Sequence, residues 1–426
     1  MALTQGSPAV WRASRIAASP EEVARVLRER RGFVWLDSAA DRAEGAVAGR
    51  VSLMAADPLE VLHGHIGDLR PLRTALARLP QPTGADIGLP TGGLFGSVDF
   101  DGRYTFGLYD SLLAYRHDTE RWWECGPSVQ SPDIHQVPVS APVPAIDFQP
   151  LWSREGFIQA VRRALDYIAA GDIYQVNLSQ PWAALWPEKA DAFGFYERLR
   201  HFSPVPYGAF LDLGGRQVLS ASPESFLKMS GRQIRTRPIK GTRPRRRDAQ
   251  EDERSAYDLI TSSKEIAELI MITDLERNDL GQVCDYGTVS VTELLKLERF
   301  AQVFHLVSTV RGTLRNEIDH LAALQACFPG GSISGAPKKR ALEIIHELEP
   351  FPRGLYTGAI GYIGANGESQ FSIAIRTAVV EGGRLHFHAG AGIVADSVPE
   401  HEWQETRDKA SSLIGATRWR TPAAAP

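Results

Sequence analysis

The sequence predicts an α+β protein built on antiparallel sheets, and three observations carry that prediction. The end of the chain alternates apolar segments with tight turns: Tyr356 to Gly364, Asn366-Gly367, Ser369 to Val380, Gly382-Gly383 and Leu385 to Val394. Asn-Gly and Gly-Gly pairs suit two-residue hairpins because both central residues take positive φ. The N-terminal region is rich in short apolar runs, and Leu113 to His117 and Arg121 to Cys125 flank a polar turn as a second hairpin. Helical segments do not alternate regularly with strands, which argues against a doubly wound parallel sheet.

The remaining elements follow in order. Phe33 to Leu36, Val51 to Met54 and Leu94 to Phe100 read as strands, the last entered through Gly92-Gly93. The stretch 131–150 is proline-rich and lacks helical periodicity, so it reads as a connector between an N-terminal region, 1–130, and a larger region, 151–416. Ser153 to Ala170 carries Phe157, Ile158, Val161, Leu165 and Ile168 at helical spacing, and Gly171 ends it. Ile173 to Ser179 alternates as a strand; Val218 to Ala221, Phe226 to Met229 and Gln233 to Ile239 read the same way. A long charged helix is expected over Gln250 to Leu275 and a final helix over Pro399 to Leu413, with a disordered tail at 417–426.

Composition narrows the function. The 426 residues carry 47 Lys plus Arg and 51 Asp plus Glu, a formal charge of −4, which is a poor basis for nucleic-acid binding. Three cysteines, Cys125, Cys284 and Cys327, cannot build a disulfide framework or a zinc site, so a reduced, cytoplasmic setting is expected. No run approaches a membrane span, and the arginine-dotted first thirty residues do not read as a secretory signal.

Several groups can carry chemistry. Glu265 and Glu268, and again Glu402 and Glu405, lie three apart on expected helices, so each pair shares a helix face. Two such faces meeting in a cleft would offer oxygen ligands to Mg²⁺; solvated faces with local ion pairs, such as Glu405 with Lys409, are the plain alternative. Phe328 to Lys339 is a glycine-rich loop with Ser334 as a candidate cap and Pro337 in the first helical turn. It suits a small anion, or it is simply a tight turn; Ala336 and Pro337 exclude a Walker A loop. Lys240 can be a nucleophile only where a cleft favours its amine, and otherwise it is a surface ion-pairing lysine. Arg376 in an apolar strand needs an anionic partner, either ligand or structural. His305 reads equally as a core or a catalytic histidine, and Glu224 as a turn carboxylate or a general acid.

In this order and spacing the strings resemble the chorismate-utilising enzymes, the family of anthranilate, aminodeoxychorismate, isochorismate and salicylate synthases. The matching segments are GDIYQVNLSQ from Gly171, SASPESF from Ser220, RPIKGTRPR from Arg237 and SSKEIAELIMITDLERNDLG from Ser262. FPGGSISGAPK from Phe328, LYTGAIGYI from Leu355, FSIAIRTA from Phe371 and AGAGIVADSVPEHEWQETRDKA from Ala389 complete them. The resemblance implies two packed antiparallel sheets with outer helices, and a chorismate site over 151–416. It implies Mg²⁺ held by Glu268, Glu402 and Glu405 with Glu265 beside them. Tyr356, Arg376, Gly390, Gly392, Lys409 and Ser332 match substrate contacts; Glu224 matches the acid at the C4 hydroxyl, and His305 a histidine near the ring.

Lysine within PIKGT resembles the aminodeoxychorismate synthase component I branch, where Lys240 would attack C2 of chorismate. Gln175 stands where isochorismate- and salicylate-forming relatives carry a water-activating lysine. The resemblance therefore implies chorismate and ammonia as substrates, with a glutamine amidotransferase subunit as partner, since no glutaminase signature is present and the length leaves no room for one. Leu269 departs from the histidine many relatives carry and is expected to alter only packing. Leu36, Asp37 and Ser38 resemble a segment that lines a tryptophan pocket. The rivals are anthranilate synthase component I and a non-catalytic chorismate- or tryptophan-binding subunit.

Overall fold

The computed structural model describes residues 10–38, 51–80, 87–127, 137–138, 140, 143–300 and 302–418. Much of the connector expected at 131–150 and all but Thr417 and Arg418 of the expected tail lie outside the described residues; those two close the last helix, Pro399–Arg418.

Two antiparallel sheets, one twelve-stranded and one ten-stranded among the described residues, pack face to face. Both draw strands from either side of the connector. In the first, Val34–Asp37 pairs with Tyr207–Asp212; in the second, Gly93–Val98 pairs with Ala359–Gly364. The interface between sheets is apolar: Val34, Leu53 and Ala209 from the first meet Phe95, Ile360 and Tyr362 from the second. Helix Ala192–Phe202 and the end of Pro399–Arg418 cover the outer face of the first sheet around Trp35, Phe210 and Phe387. Helices Arg70–Leu76, Ser263–Gly281 and His320–Cys327 cover the second around Phe106, Leu227 and Phe371. A β-branched and aromatic alternation along these strands meets the two-residue period of a half-buried sheet.

The structure revises three sequence expectations. The strand expected over 369–380 is two strands, Glu368–Ile373 in the second sheet and Thr377–Glu381 in the first. Ala374 to Arg376 carry the chain between sheets, and Arg376 takes a φ of 50° there. The sequence hides such a bend because the run has no Gly, Pro, Asn or Asp to mark a turn, and the strands it joins are buried along most of their length. The charged helix expected over 250–275 is also two, Ala249–Ile260 and Ser263–Gly281. Ser262 breaks it by leaving the helical region and accepting the Glu265 N–H as an N-cap. In the glycine loop, the cap of helix Lys338–Leu348 is Pro337, while Ser334 donates back to the Gly330 carbonyl. Gly335–Ala336 pairs as a short strand with Gln175 and Val176, so that N–H row is not open to an anion.

Leu269 is fully buried against Phe304 and Leu306, which is the packing role expected of it. Phe371 is equally buried where the second sheet meets its helices. Phe371→Ala is expected to cost about 3–5 kcal/mol of stability, read as a lowered midpoint in urea unfolding with the slope unchanged.

Candidate active site

Two sheet crossings lie side by side. Strand Arg216–Ser222 of the first sheet leads through Pro223 and Glu224 into Ser225–Ser230 of the second. Next to it the chain returns from Ile373 through Arg376 to Thr377. They are stitched together: Ala221 N–H donates to the Arg376 carbonyl at 3.0 Å, and Ile373 N–H to the Glu224 carbonyl at 3.1 Å. Beside them opens a cavity of about 390 Å³.

Each wall contributes one kind of group. The crossings bring Glu224 and Arg376, and strands Ile239–Pro244 and Val303–Thr313 bring Lys240 and His305. Helix Ser263–Gly281 brings Lys264, Glu265 and Glu268, and helix Pro399–Arg418 brings Glu405 and Lys409. Ser332, Tyr356, Gly390 and Gly392 complete the lining. The two glycines are needed for clearance. A Cβ on Gly390 would stand 2.5 Å from the Tyr356 hydroxyl, and one on Gly392 would stand 2.8 Å from Gln175 Nε2.

The acidic and basic groups are interleaved. Lys240 Nζ lies 3.8 Å from Glu268 Oε2, and Lys409 Nζ lies 2.7 Å from Glu405 Oε1 and 2.9 Å from the Gly390 carbonyl. Burial raises the Glu268 carboxyl above its ordinary value, against the pull of Lys240 and Lys264. Burial likewise raises Glu402, and the neighbouring Glu405 adds to it. Glu405 goes the other way: burial would raise it, but the Lys409 ammonium holds it below its ordinary value. Burial raises Glu224 too, opposed by the Ser332 hydroxyl, Lys240 and the Ile239 N–H. A carboxyl in that setting is suited to hold and give a proton.

Arg376 has no acidic side chain within ion-pairing reach among the described residues, and burial alone pulls its guanidinium down from its ordinary value. Such a cation calls for an anionic ligand in the cavity. His305 is pushed down to about 4 by burial and by the Arg376 charge, so its imidazole is neutral at neutral pH. Its Nδ1 lies 2.9 Å from the Thr242 hydroxyl.

Not every expected residue reaches the cavity. Gln175 is buried behind Gly392 with its Oε1 unpartnered, and Glu402 lies one turn back from the lining with its Oε2 buried and unpartnered. Among the described residues no three acidic, imidazole or thiol groups converge as a ready metal site. The donor chemistry nonetheless suits a hard cation: carboxylates on facing helices, one oxygen orphaned, and lysines in part compensation.

Sequence reading missed several participants. Lys264 lies among the glutamates and lowers Glu268, Glu402 and Glu405 alike; it precedes Glu265 in the matching string, which was the available signal. Asn177 lines the cavity with a buried, unpartnered Nδ2. His388 stacks on Tyr356 at 5.4 Å and is pushed down to about 3, chiefly by burial. None of these has a local spacing that announces it.

A second cavity of about 190 Å³ lies between the sheets and is bounded by Leu36 and Asp37; Ser38 is buried outside its lining. The Asp37 carboxylate is shielded from solvent and accepts from Arg200, Tyr196 and Ser52. Lys228 and Arg235, directly opposite each other on paired strands, line the same cavity.

No helix among the described residues is long and apolar enough to cross a membrane. The sequence pattern of chorismate binding enzymes matches residues 82–415. Aminodeoxychorismate synthase component 1 of Bacillus subtilis is 36% identical over 423 residues, covering 87% of this chain and 90% of the relative. Anthranilate synthase component 1 of Thermus thermophilus is 51% identical over 269 residues, covering 63% of this chain and 58% of the relative. This chain thus spans a little over half the length of that relative. The crystal structure of anthranilate synthase component I from Streptococcus pneumoniae superposes with a TM-score of 0.76 at 31% identity, covering 87% of this chain and 93% of the other. Extended matches of this kind, together with a two-sheet fold like that of the solved structure, show that the chain belongs to the chorismate binding enzyme family.

Proposed function

We propose that this chain is component I of an aminodeoxychorismate synthase, converting chorismate and ammonia to 4-amino-4-deoxychorismate. The observation that carries this reading is Lys240. Its ammonium reaches into the cavity to within 3.8 Å of Glu268, and a Cβ on Gly392 would come within 3.9 Å of its Nζ. Lys240 therefore bridges the space between the second sheet and the last strand of the first. Glu224 lines the same cavity.

Amination at C4 with retention of the ring skeleton needs a temporary nucleophile. Nζ of Lys240, as its free amine, bonds to C2, the ring double bonds shift, and the C4 hydroxyl leaves as water with a proton from Glu224. Ammonia then bonds to C4, the double bonds shift back, the lysine amine leaves C2, and the proton released by the new C4 amine returns to Glu224. Arg376 and Tyr356 hold the enolpyruvyl end, and Lys409 with the Gly390 and Gly392 backbone orients the ring. His305, neutral and held by Thr242, packs near the ring. Glu268, Glu402 and Glu405, with Glu265 beside them, would hold Mg²⁺. When bound, the ion neutralises the ring carboxylate and the negative charge that develops as the C–O bond breaks. A glutamine amidotransferase subunit would supply the ammonia, as is typical of this family.

Anthranilate synthase is the second reading, favoured by the higher identity to the Thermus relative over 63% of this chain. The two differ at the first covalent step. With chorismate and Mg²⁺ but no ammonia, the wild type is expected to show a chorismate-derived adduct in its intact mass, and Lys240→Ala none. An adduct that persists in the alanine variant, or anthranilate as the chromatographed product with ammonium salt, overturns the proposal.

For the metal, Glu402→Gln is expected to weaken Mg²⁺ binding by about tenfold or more in calorimetric titration without substrate; unchanged affinity removes Glu402 from the ligand set. In the second cavity, the shielded Asp37 carboxylate offers no acceptor to an amino acid's ammonium group. Added tryptophan is therefore expected to leave turnover unchanged, and inhibition at low concentration would contradict that.

A further inference from the structure

Ser332 is the polar member of the glycine loop that lines the cavity with Glu224, and its hydroxyl pulls that carboxyl down against the effect of burial. The turn that carries it, Gly331–Ile333, is a single 3₁₀ turn. Such a turn has few internal bonds to hold its shape. Its shape is instead held from two sides by the buried side chains of Glu276 and Arg353.

On one side, the Gly331 N–H donates to Glu276 Oε1 at 3.0 Å, while Thr236 donates to Oε2 at 3.2 Å. Glu276 is 2% exposed. It lies eight residues beyond Glu268 on the same helix, roughly 12 Å along the axis. A Cβ on Gly331 would press to 3.2 Å from Glu276 Oε1, so a larger residue would push the carboxyl back by a few tenths of an ångström. On the other side, Arg353 donates to the Ile333 carbonyl at 3.3 Å. All five of its N–H groups are used: two toward Glu349, one to the Asn177 carbonyl, one to Thr357 and one to Ile333. Its guanidinium also lies 5.7 Å from the Tyr356 ring centre. Burying two such charges is costly unless every donor and acceptor is paired. Here the pairing runs to the backbone on either flank of Ser332.

We propose that Glu276 and Arg353 are positioning residues: together they clamp the Gly331–Ile333 turn by its backbone at both ends and hold the Ser332 hydroxyl against the Glu224 carboxyl. Neither touches the cavity. Their effect on turnover runs through Ser332, which sets how Glu224 delivers its proton. This deepens the reading of Glu224 as the acid and rests on it.

Chorismate consumption is followed with Mg²⁺ and ammonium salt in Glu276→Ala, Glu276→Gln, Ser332→Ala and the Glu276→Ala/Ser332→Ala double variant. Glu276→Ala is expected to lower kcat by about 100-fold with KM for chorismate and Mg²⁺ affinity unchanged. Ser332→Ala is expected to match it, and the double variant to be no worse than either single one. Glu276→Gln, which keeps a carbonyl for Gly331 and presents an amide to Thr236, restores most of the turnover. Arg353→Lys, which loses the Ile333 contact, serves if Glu276→Ala does not fold; the same kcat-selective, non-additive loss is expected. Full activity in Glu276→Ala, or losses that multiply in the double variant, overturns the clamp. Glu224→Gln separates the two readings. If it abolishes turnover while Glu276→Ala does not, the clamp fails and the acid stands; if Glu224→Gln is fully active, the acid assignment itself fails.

Discussion

The paired sheet crossing is the constraint on which the rest of this molecule depends. A strand that leaves one sheet for the other must bend, and its bend carries backbone groups that no ladder satisfies. Here two strands bend next to each other, and each supplies what the other lacks. Ile373 N–H takes the Glu224 carbonyl, Ala221 N–H takes the Arg376 carbonyl, and the Ser222 hydroxyl takes the Ile373 carbonyl at 2.6 Å. The gap left beside the bends is walled by both sheets, and side chains from either can face across it. That is why Lys240 on one sheet and Gly390 and Gly392 on the other lie within reach of one cavity. The positive φ at Arg376 is part of the same device, since it turns the strand and sends the guanidinium into a place without an acidic neighbour among the described residues.

The electrostatics of that space are balanced in a way that favours a ligand of mixed charge. Among the carboxyls, burial raises Glu268 and Glu402 against the pull of the nearby lysines, while Lys409 holds Glu405 below its ordinary value. Arg376 has no acidic partner among the described residues, and His305 is neutral. A dianion fits this arrangement if one of its carboxylates meets Arg376 and the other is shared with a divalent cation among the glutamates. Glu402, whose Oε2 is buried without a partner, is the residue whose environment changes most when positive charge arrives.

The fold class and most elements were legible in the sequence because they rest on local periodicity and turn chemistry. The Asn366-Gly367 hairpin and the amphipathic helix Arg154–Ala169 belong to this group. What was not legible depends on contacts far apart in sequence. The run from Ser369 to Val380 contains no Gly, Pro, Asn or Asp, so no turn signal marks the point where it changes sheet. The break at Ser262 was hidden for the opposite reason. A serine followed three residues later by glutamate is a cap signal, but inside a charged, helix-favouring stretch it competes with a continuous periodic pattern. The site itself followed from family resemblance rather than from physics. Spacing alone left Glu402 and Glu405 as an ordinary solvated pair, and only the fold faces their helix toward Glu268. Lys264 and Asn177 stand inside matching strings without a spacing that singles them out, and His388 is found only in three dimensions.

The glycine loop shows how far a loop's sequence can mislead about its role. Read alone, Phe328 to Lys339 offers free N–H groups ahead of a helix, which is the composition of an anion cradle. In the fold several of those groups are already engaged: the Gly331 N–H with Glu276, the Ser334 N–H with the Gly331 carbonyl, and Gly335–Ala336 in a strand pair. The glycines serve close packing instead, at Glu276 for Gly331 and against the Gln175 carbonyl for Gly335, where a Cβ would stand at 2.2 Å. The Ser332 side chain is the loop's polar side chain in the cavity lining. A loop whose backbone is fixed from both flanks can hold one hydroxyl to a narrow position. A protonated carboxyl needs that from its neighbour if its proton is to go to a leaving group rather than to solvent.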